Sequence, residues 1–204
     1  MRLSDPNPSS TATHTRAVRA GHCINHILYQ RGIYPAETFE RVQNYGMTMF
    51  KTTDAGLNAY LENVLRQLTS WLSNSAVQKL VVVISSQETS EPLERWVFDV
   101  HADKSIGPED RAAKSQKEVK AEIAALCRQI SASVSFLPLI DEPCAFDLLV
   151  YTDDDVQEPS GWEESDPRYI VNADEVKLHS TAWHSIRPHS GSSPLRAEIG
   201  RAHV

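Results

Sequence analysis

Residues 144–165 read CAFDLLVYTDDDVQEPSGWEES, an alternating apolar run that gives way at Asp153 to a long acidic stretch carrying Pro159 and Gly161. In an extended chain Phe146, Leu148 and Val150 fall on one side, and Leu149 and Tyr151 on the other, so both faces of this strand need cover. From Asp153 onward the chain is too polar to be core. The segment after the strand is therefore expected to cross the sheet and be secured elsewhere, which makes edge pairing the thing to watch.

The chain before this strand supplies its neighbours. The run 80–84 (LVVVI) is continuous and rich in β-branched residues, as a central strand covered on both faces would be. Residues 94–100 follow as a second strand with Trp96, Phe98 and Val100 on one face, and the short link predicts an antiparallel hairpin. Asp54 is a candidate N-cap for a helix whose apolar positions Leu57, Leu61, Val64, Leu65, Leu68, Trp71 and Leu72 recur at threes and fours. A third helix is expected to begin at Pro108, Glu109 and Asp110, with Val119, Ile123, Leu126, Cys127 and Ile130 as its buried stripe. Beyond it Ala132, Val134 and Phe136 alternate with Ser131, Ser133 and Ser135, which predicts another strand, and Pro138 and Pro143 bracket the turn that follows. A first helix over 15–30 buries Ile24, Ile27 and Leu28 and ends at Gly32, although its first half offers Arg and small residues where a core face should be. Residues 1–13 read as a disordered leader. The sum is an α+β domain of about three helices on a mostly antiparallel sheet.

Composition limits the function. A chain of 204 residues that is 41% hydrophobic and 23% charged can fill one core. A net charge of -7 leaves no basic stripe to neutralise phosphates, so nucleic acid is not expected as a partner. No apolar run approaches the roughly 20 residues of a membrane helix. Cys23, Cys127 and Cys144 show no paired spacing and read as small buried side chains in a reducing compartment. His179, His184 and His189 recur every five residues, a period that fits neither a helix face nor a strand face, so no metal site is expected. The spacing of Asp153, Asp155 and Glu164 mimics a calcium loop, but Glu158 stands where such a loop needs glycine. A triad built on His101 could arise by chance in any chain this rich in acids. No nucleophile elbow, phosphate loop or zinc motif occurs, so neither an enzyme nor a cofactor is expected.

Several strings carry a resemblance: ILYQRGIYPAETF (27–39), SAVQKLVVVIS (75–85), LERWVFD (93–99), RQISASVSFLPL (128–139), CAFDLLVYTD (144–153) and WEES (162–165). In this order they closely resemble the spindle-checkpoint HORMA proteins of the mitotic-arrest-deficient family, from about Cys23 to Leu178. HORMA proteins of meiotic axes, translesion polymerase and autophagy are the nearest alternatives. The resemblance implies a HORMA core over 23–152 and a mobile safety belt over 153–178. In an open form the belt covers the edge of the 145–152 strand. In a closed form it moves to the other side of the sheet and holds an extended partner peptide against that edge. The partners implied are a coiled-coil kinetochore adaptor, the activator subunit of the anaphase-promoting complex, and a second copy of the chain; the places are the nucleus, kinetochore and cytoplasm.

Carried over to this sequence, the peptide site comprises Phe146, Leu148, Leu149, Val150 and Tyr151. Trp162 is a candidate anchor of the moving segment, and Trp71 and Trp96 are candidates for the surface receiving it, with ordinary core packing the alternative for each. The open-to-closed dimer is implied at Arg128 and Gln129 on the third helix with Ser135 and Phe136 in the strand after it. The ends depart from the family. Residues 1–22 match it poorly, and 179–204 carry Pro188, Gly191 and Pro194, which would interrupt a ladder. The closing EIGRAHV (198–204) looks like a translated sequencing adapter, so 180–204 is expected to be partly or wholly non-native and to carry no fold information. A belt without its final strand is then expected to close poorly, leaving an open-form variant.

Overall fold

The computed structural model describes residues 8–44, 47–73, 76–100, 115–152, 163–164, 174–178 and 196–201. Helix α1 (Pro8–Gln30) opens the fold and starts within the stretch read as a leader. Arg19 and the small residues Ala17 and Ala20 are core after all. Ala17 and Ala20 are buried, and a Cβ on Gly21 would come within 2.7 Å of Leu65 Cδ1 on the next helix, so small side chains here permit close helix packing. Arg19 is buried against Glu122, an ion pair that no local periodicity announces. The helix ends in a Schellman arrangement: Gly32 has φ +65, its N–H donates to Tyr29 O, and Ile33 N–H donates to Leu28 O.

A hairpin follows where the sequence suggests only a turn, β1 (Phe39–Asn44) and β2 (Met47–Thr52). It has little apolar content of its own and packs instead on the helices. Phe50 stacks on Tyr29 at 3.5 Å, and Met49 joins Val119, Ile123 and Cys127 in a small cluster. Helix α2 (Ala55–Ser73) starts as expected, with Asp54 Oδ1 accepting the Leu57 N–H at 2.7 Å.

Strands β3 (Val77–Ser86) and β4 (Pro92–Asp99) form the antiparallel hairpin, and β3 also pairs antiparallel with β5 (Cys144–Thr152). Between them runs α3 (Gln116–Val134), opened by a capping box in which Ser115 and Glu118 satisfy each other's backbone N–H. The expected start at Pro108 to Asp110 lies outside the described residues. The expected strand after Ile130 is a correction: α3 continues to Val134, because Ile130 and Val134, four apart, still share the helix face on the core. The serine alternation is a coincidence of composition. Ser135 caps the helix, its N–H donating to Ala132 O at 3.2 Å.

Three short strands complete the sheet: β6 (Glu163–Glu164), β7 (Asp174–Leu178) and β8 (Arg196–Arg201), giving the order β6-β8-β5-β3-β4-β7. All pairings are antiparallel except β4 with β7. The main core lies between the sheet and the helices and includes Phe146, Leu148 and Val150. Leu149 and Tyr151 point the other way and join Val81, Val83 and Val97 in a separate buried cluster, made among the described residues by strands alone. The α+β reading and the two-faced burial of β5 are thus as expected. Among the described residues no helix is long and apolar enough to cross a membrane.

Candidate functional site

β5 is the element around which the rest is arranged. One edge is paired with β3 along its whole length. The other presents the backbone of residues 147–152, and in this structure it carries β8, register Asp147 with Arg201 through Thr152 with Arg196. Residues 163–164 pair on the outer side of β8, opposite Ile199 and Glu198. The site is therefore a slot one strand wide, bounded by β5 and β6. Its occupant is the segment that the sequence reading expects to carry no fold information. A strand slot is filled by main-chain hydrogen bonds, which are indifferent to side-chain identity, and this accounts for the pairing of such a segment.

The side chains of β5 hold the edge still. Phe146 makes edge contacts with Tyr34 at 6.2 Å and Tyr60 at 5.8 Å. Burial raises the Tyr60 hydroxyl well above its ordinary pKa, with the Asp147 carboxylate adding to the effect, and pushes Tyr34 up to about 12. Both rings thus stay neutral and apolar against Phe146. On the other face the Arg95 guanidinium donates to the Tyr151 hydroxyl at 3.4 Å. Phe146, Leu148, Leu149 and Val150 are all at most 2% exposed, so what they present at the edge is backbone, with the side chains buried.

Of the two readings of Trp71 and Trp96, receiving surface or core, the structure gives the core. Both are core, 4% and 0% exposed in the helix-side cluster, and the Trp96 indole N–H donates to Glu94 Oε2 at 3.1 Å. Sequence periodicity cannot separate a large aromatic in the core from one in a groove. Trp162, the predicted anchor, lies outside the described residues.

Glu94 belongs to a buried polar group with several hydrogen bonds. Arg31, just past the end of α1, places its guanidinium on both Glu94 carboxylate oxygens, with Nε to Oε2 at 3.0 Å, and donates to Pro138 O at 2.6 Å. Helix α1, strand β4 and the α3–β5 loop are tied at one point. Nothing in the local sequence around Arg31 or Glu94 signals this partnership.

The residues implied for self-association sit together at the end of α3. Arg128 is exposed and Gln129 half-buried; Ser135, two turns beyond Arg128, is the exposed C-cap. Phe136 belongs to the turn after the helix and not to a strand, with its ring 89% exposed. Leu139, 87% exposed, stands three residues further on and escapes sequence reasoning, since a single Leu in a proline-flanked turn carries no periodic signal. These are the two large apolar side chains found exposed among the described residues. No group of three metal-binding side chains occurs among the described residues either.

The sequence pattern of the HORMA domain matches residues 10–185. The chain is 56% identical over 158 residues to "Mitotic spindle assembly checkpoint protein MAD2A" of Mus musculus, covering 77% of each. It is 53% identical over 159 residues, 78% of each, to the protein of that name in Dictyostelium discoideum. A chain of the "Crystal Structure of Mitotic Checkpoint Complex" superimposes with a TM-score of 0.71 and 35% identity, over 92% of this chain and 94% of that one.

Proposed function

This chain belongs to the HORMA domain family, and from that premise we propose that it is a spindle-checkpoint adaptor, not an enzyme, that traps an extended partner peptide as a strand on β5. The observation that carries the reading is the slot: an extended segment pairs with β5 on one side and with residues 163–164 on the other, while β7 pairs at the far margin of the sheet on β4. A partner peptide would take the place that β8 takes here, by β-augmentation. Residues 153–178 are the safety belt.

The distances agree with a strap. Glu164 and Asp174 lie on opposite margins of a six-stranded sheet, about 24 Å apart at ~4.8 Å per strand. Ten residues of extended chain reach roughly 33 Å, so the connection suits a direct crossing and little more. The burial of Val81, Val83, Val97, Leu149 and Tyr151 on the face without helices is what such a crossing would produce. A peptide held this way leaves only when the strap opens, so its release is slow. The β7–β4 pairing also argues against the expectation that a divergent tail prevents closure.

The partners proposed are the activator subunit of the anaphase-promoting complex and the coiled-coil kinetochore adaptor of the mitotic-arrest-deficient family, bound in the nucleus, cytoplasm and at kinetochores. Open and closed copies pair through Arg128, Gln129, Ser135 and Phe136, of which Arg128, Ser135 and Phe136 are exposed.

The test is an activator peptide N-methylated at single positions. Methylation removes an N–H without altering the side chain, so methyls at alternate residues, those whose N–H faces β5, should weaken binding tenfold or more, and methyls at the residues between should matter less. An equal effect at every position would contradict strand addition.

A further inference from the structure

Two of the three cysteines meet. Cys23 on α1 and Cys127 on α3 are both free thiols, 0% and 2% exposed, and they face each other between two contacts that join these helices. Arg19 pairs with Glu122 on one side, and His26 Nε2 lies 2.9 Å from Ser131 Oγ on the other. The order 19 to 122, 23 to 127 and 26 to 131 means that the helices run parallel and in register, pinned about one turn to either side of the sulfurs. They cannot slide to separate them. The pair also lies at a seam, since Cys23 belongs to the main core and Cys127 to the small cluster beneath the hairpin.

We propose that Cys23 and Cys127 are a reversible dithiol–disulfide pair whose oxidant is hydrogen peroxide. The Cys127 thiolate attacks one peroxide oxygen and breaks the O–O bond, giving a sulfenic acid and a hydroxide that takes up the proton Cys127 released. The Cys23 sulfur then attacks the Cys127 sulfur, loses its own proton, and expels the hydroxyl as a second water. Two thiols are oxidised, one peroxide is reduced, and two waters leave. A small oxidant suits the site, because these side chains are buried and only a brief parting of α1 from α3 admits it.

The roles follow from the surroundings. The hydrogen bond from Cys23 lowers the Cys127 thiol below its ordinary value, with Arg128 assisting against burial, while Cys23 is raised by its bond to Cys127 and by burial. Cys127 is thus the attacking sulfur and Cys23 the resolving one. The bond would staple α1 to α3 and leave the β5 edge untouched, so it sets the rigidity of the core and not the occupancy of the slot.

The experiment treats the reduced full-length chain with one equivalent of hydrogen peroxide, alkylates it under denaturing conditions, and maps the peptides by mass. The expected result is a loss of two hydrogens with the Cys23 and Cys127 peptides linked. Closing a loop of about 100 residues should raise the Tm by roughly 5–15 °C, reversed by dithiothreitol. Cys144→Ser should behave as the unmodified chain does, and Cys23→Ser and Cys127→Ser should each lose the linkage. Linkage through Cys144, oxidation that stops at a sulfinic acid on Cys127, or no change in mass would each overturn the proposal.

Discussion

Glu94→Gln is the substitution whose cost can be worked most fully from the structure. The Arg31 and Glu94 side chains are each 4% exposed, and the pair is closed by the Trp96 indole and the Pro138 carbonyl. Removing the carboxylate charge leaves a buried guanidinium whose acceptors are neutral, a change of about 3–5 kcal/mol. The amide oxygen introduced by the substitution can still accept a hydrogen bond, which places the expectation near the lower end, ~3 kcal/mol. Arg31→Met leaves the buried carboxylate without its cation, held by the Trp96 N–H, and should cost a similar amount. The double variant Arg31→Met/Glu94→Leu removes both charges together. It forgoes the bonds to Trp96 and Pro138, ~1–3 kcal/mol for each group left unpaired, but gains apolar packing, so it should lie within about 2 kcal/mol of the unaltered chain. The coupling is then several kcal/mol. Equilibrium unfolding in urea, read by tryptophan fluorescence with a shared m-value, gives the single and double variants on one scale. Single substitutions that each cost under about 1 kcal/mol, or a double whose cost is the sum of the two, would refute this account of the pair.

Arg128→Glu should leave a folded, peptide-binding monomer that does not self-associate, and Phe136→Ala should weaken the same contact; an unchanged dimer in sedimentation would sink the assignment. Stability should also fall with acid. Burial lowers the folded-state pKa of His22, helped by Lys51, and burial likewise lowers that of His26, both from an ordinary 6.5. Below that value the unfolded chain takes up protons that the folded chain refuses, so stability is lost as pH falls from about 7.5 towards each folded pKa. Urea midpoints across that range should show the decline, and His26→Gln should flatten part of it; a flat profile in the unaltered chain would count against the burial of these rings.

Much of the architecture is legible in the sequence because it rests on periodicity. The two-sided alternation of β5, the β-branched run of β3 and the threes and fours of α2 each encode burial directly, and Asp54 marks its helix start by local chemistry. What is not legible is whatever depends on a distant partner. Arg19 looks like an unsuitable core residue until Glu122 is placed beside it. The β1–β2 hairpin is stabilised by Tyr29 and by α3, so its own sequence says little. Serine alternation imitates a strand where Ile130 and Val134 are still helical. At the site, the strand is legible as the place of pairing, while periodicity leaves Trp71 and Trp96 open between a receiving surface and the core, where they lie. Family resemblance supplies the strap; sequence pattern alone gives a polar segment leaving a strand buried on both faces.

The release rate of a bound peptide tests the central claim most directly. A fluorescent activator peptide is loaded onto the chain and chased with an excess of unlabelled peptide, and the same chase is run on a chain shortened to end at residue 173, which lacks β7 and also β8, the strand that otherwise competes with the peptide for the slot. Trapping predicts slow release from the full chain, over minutes or longer, and release at least tenfold faster when β7 cannot fasten the strap to β4. Equal rates from the two chains, or release within a second from both, would contradict the account.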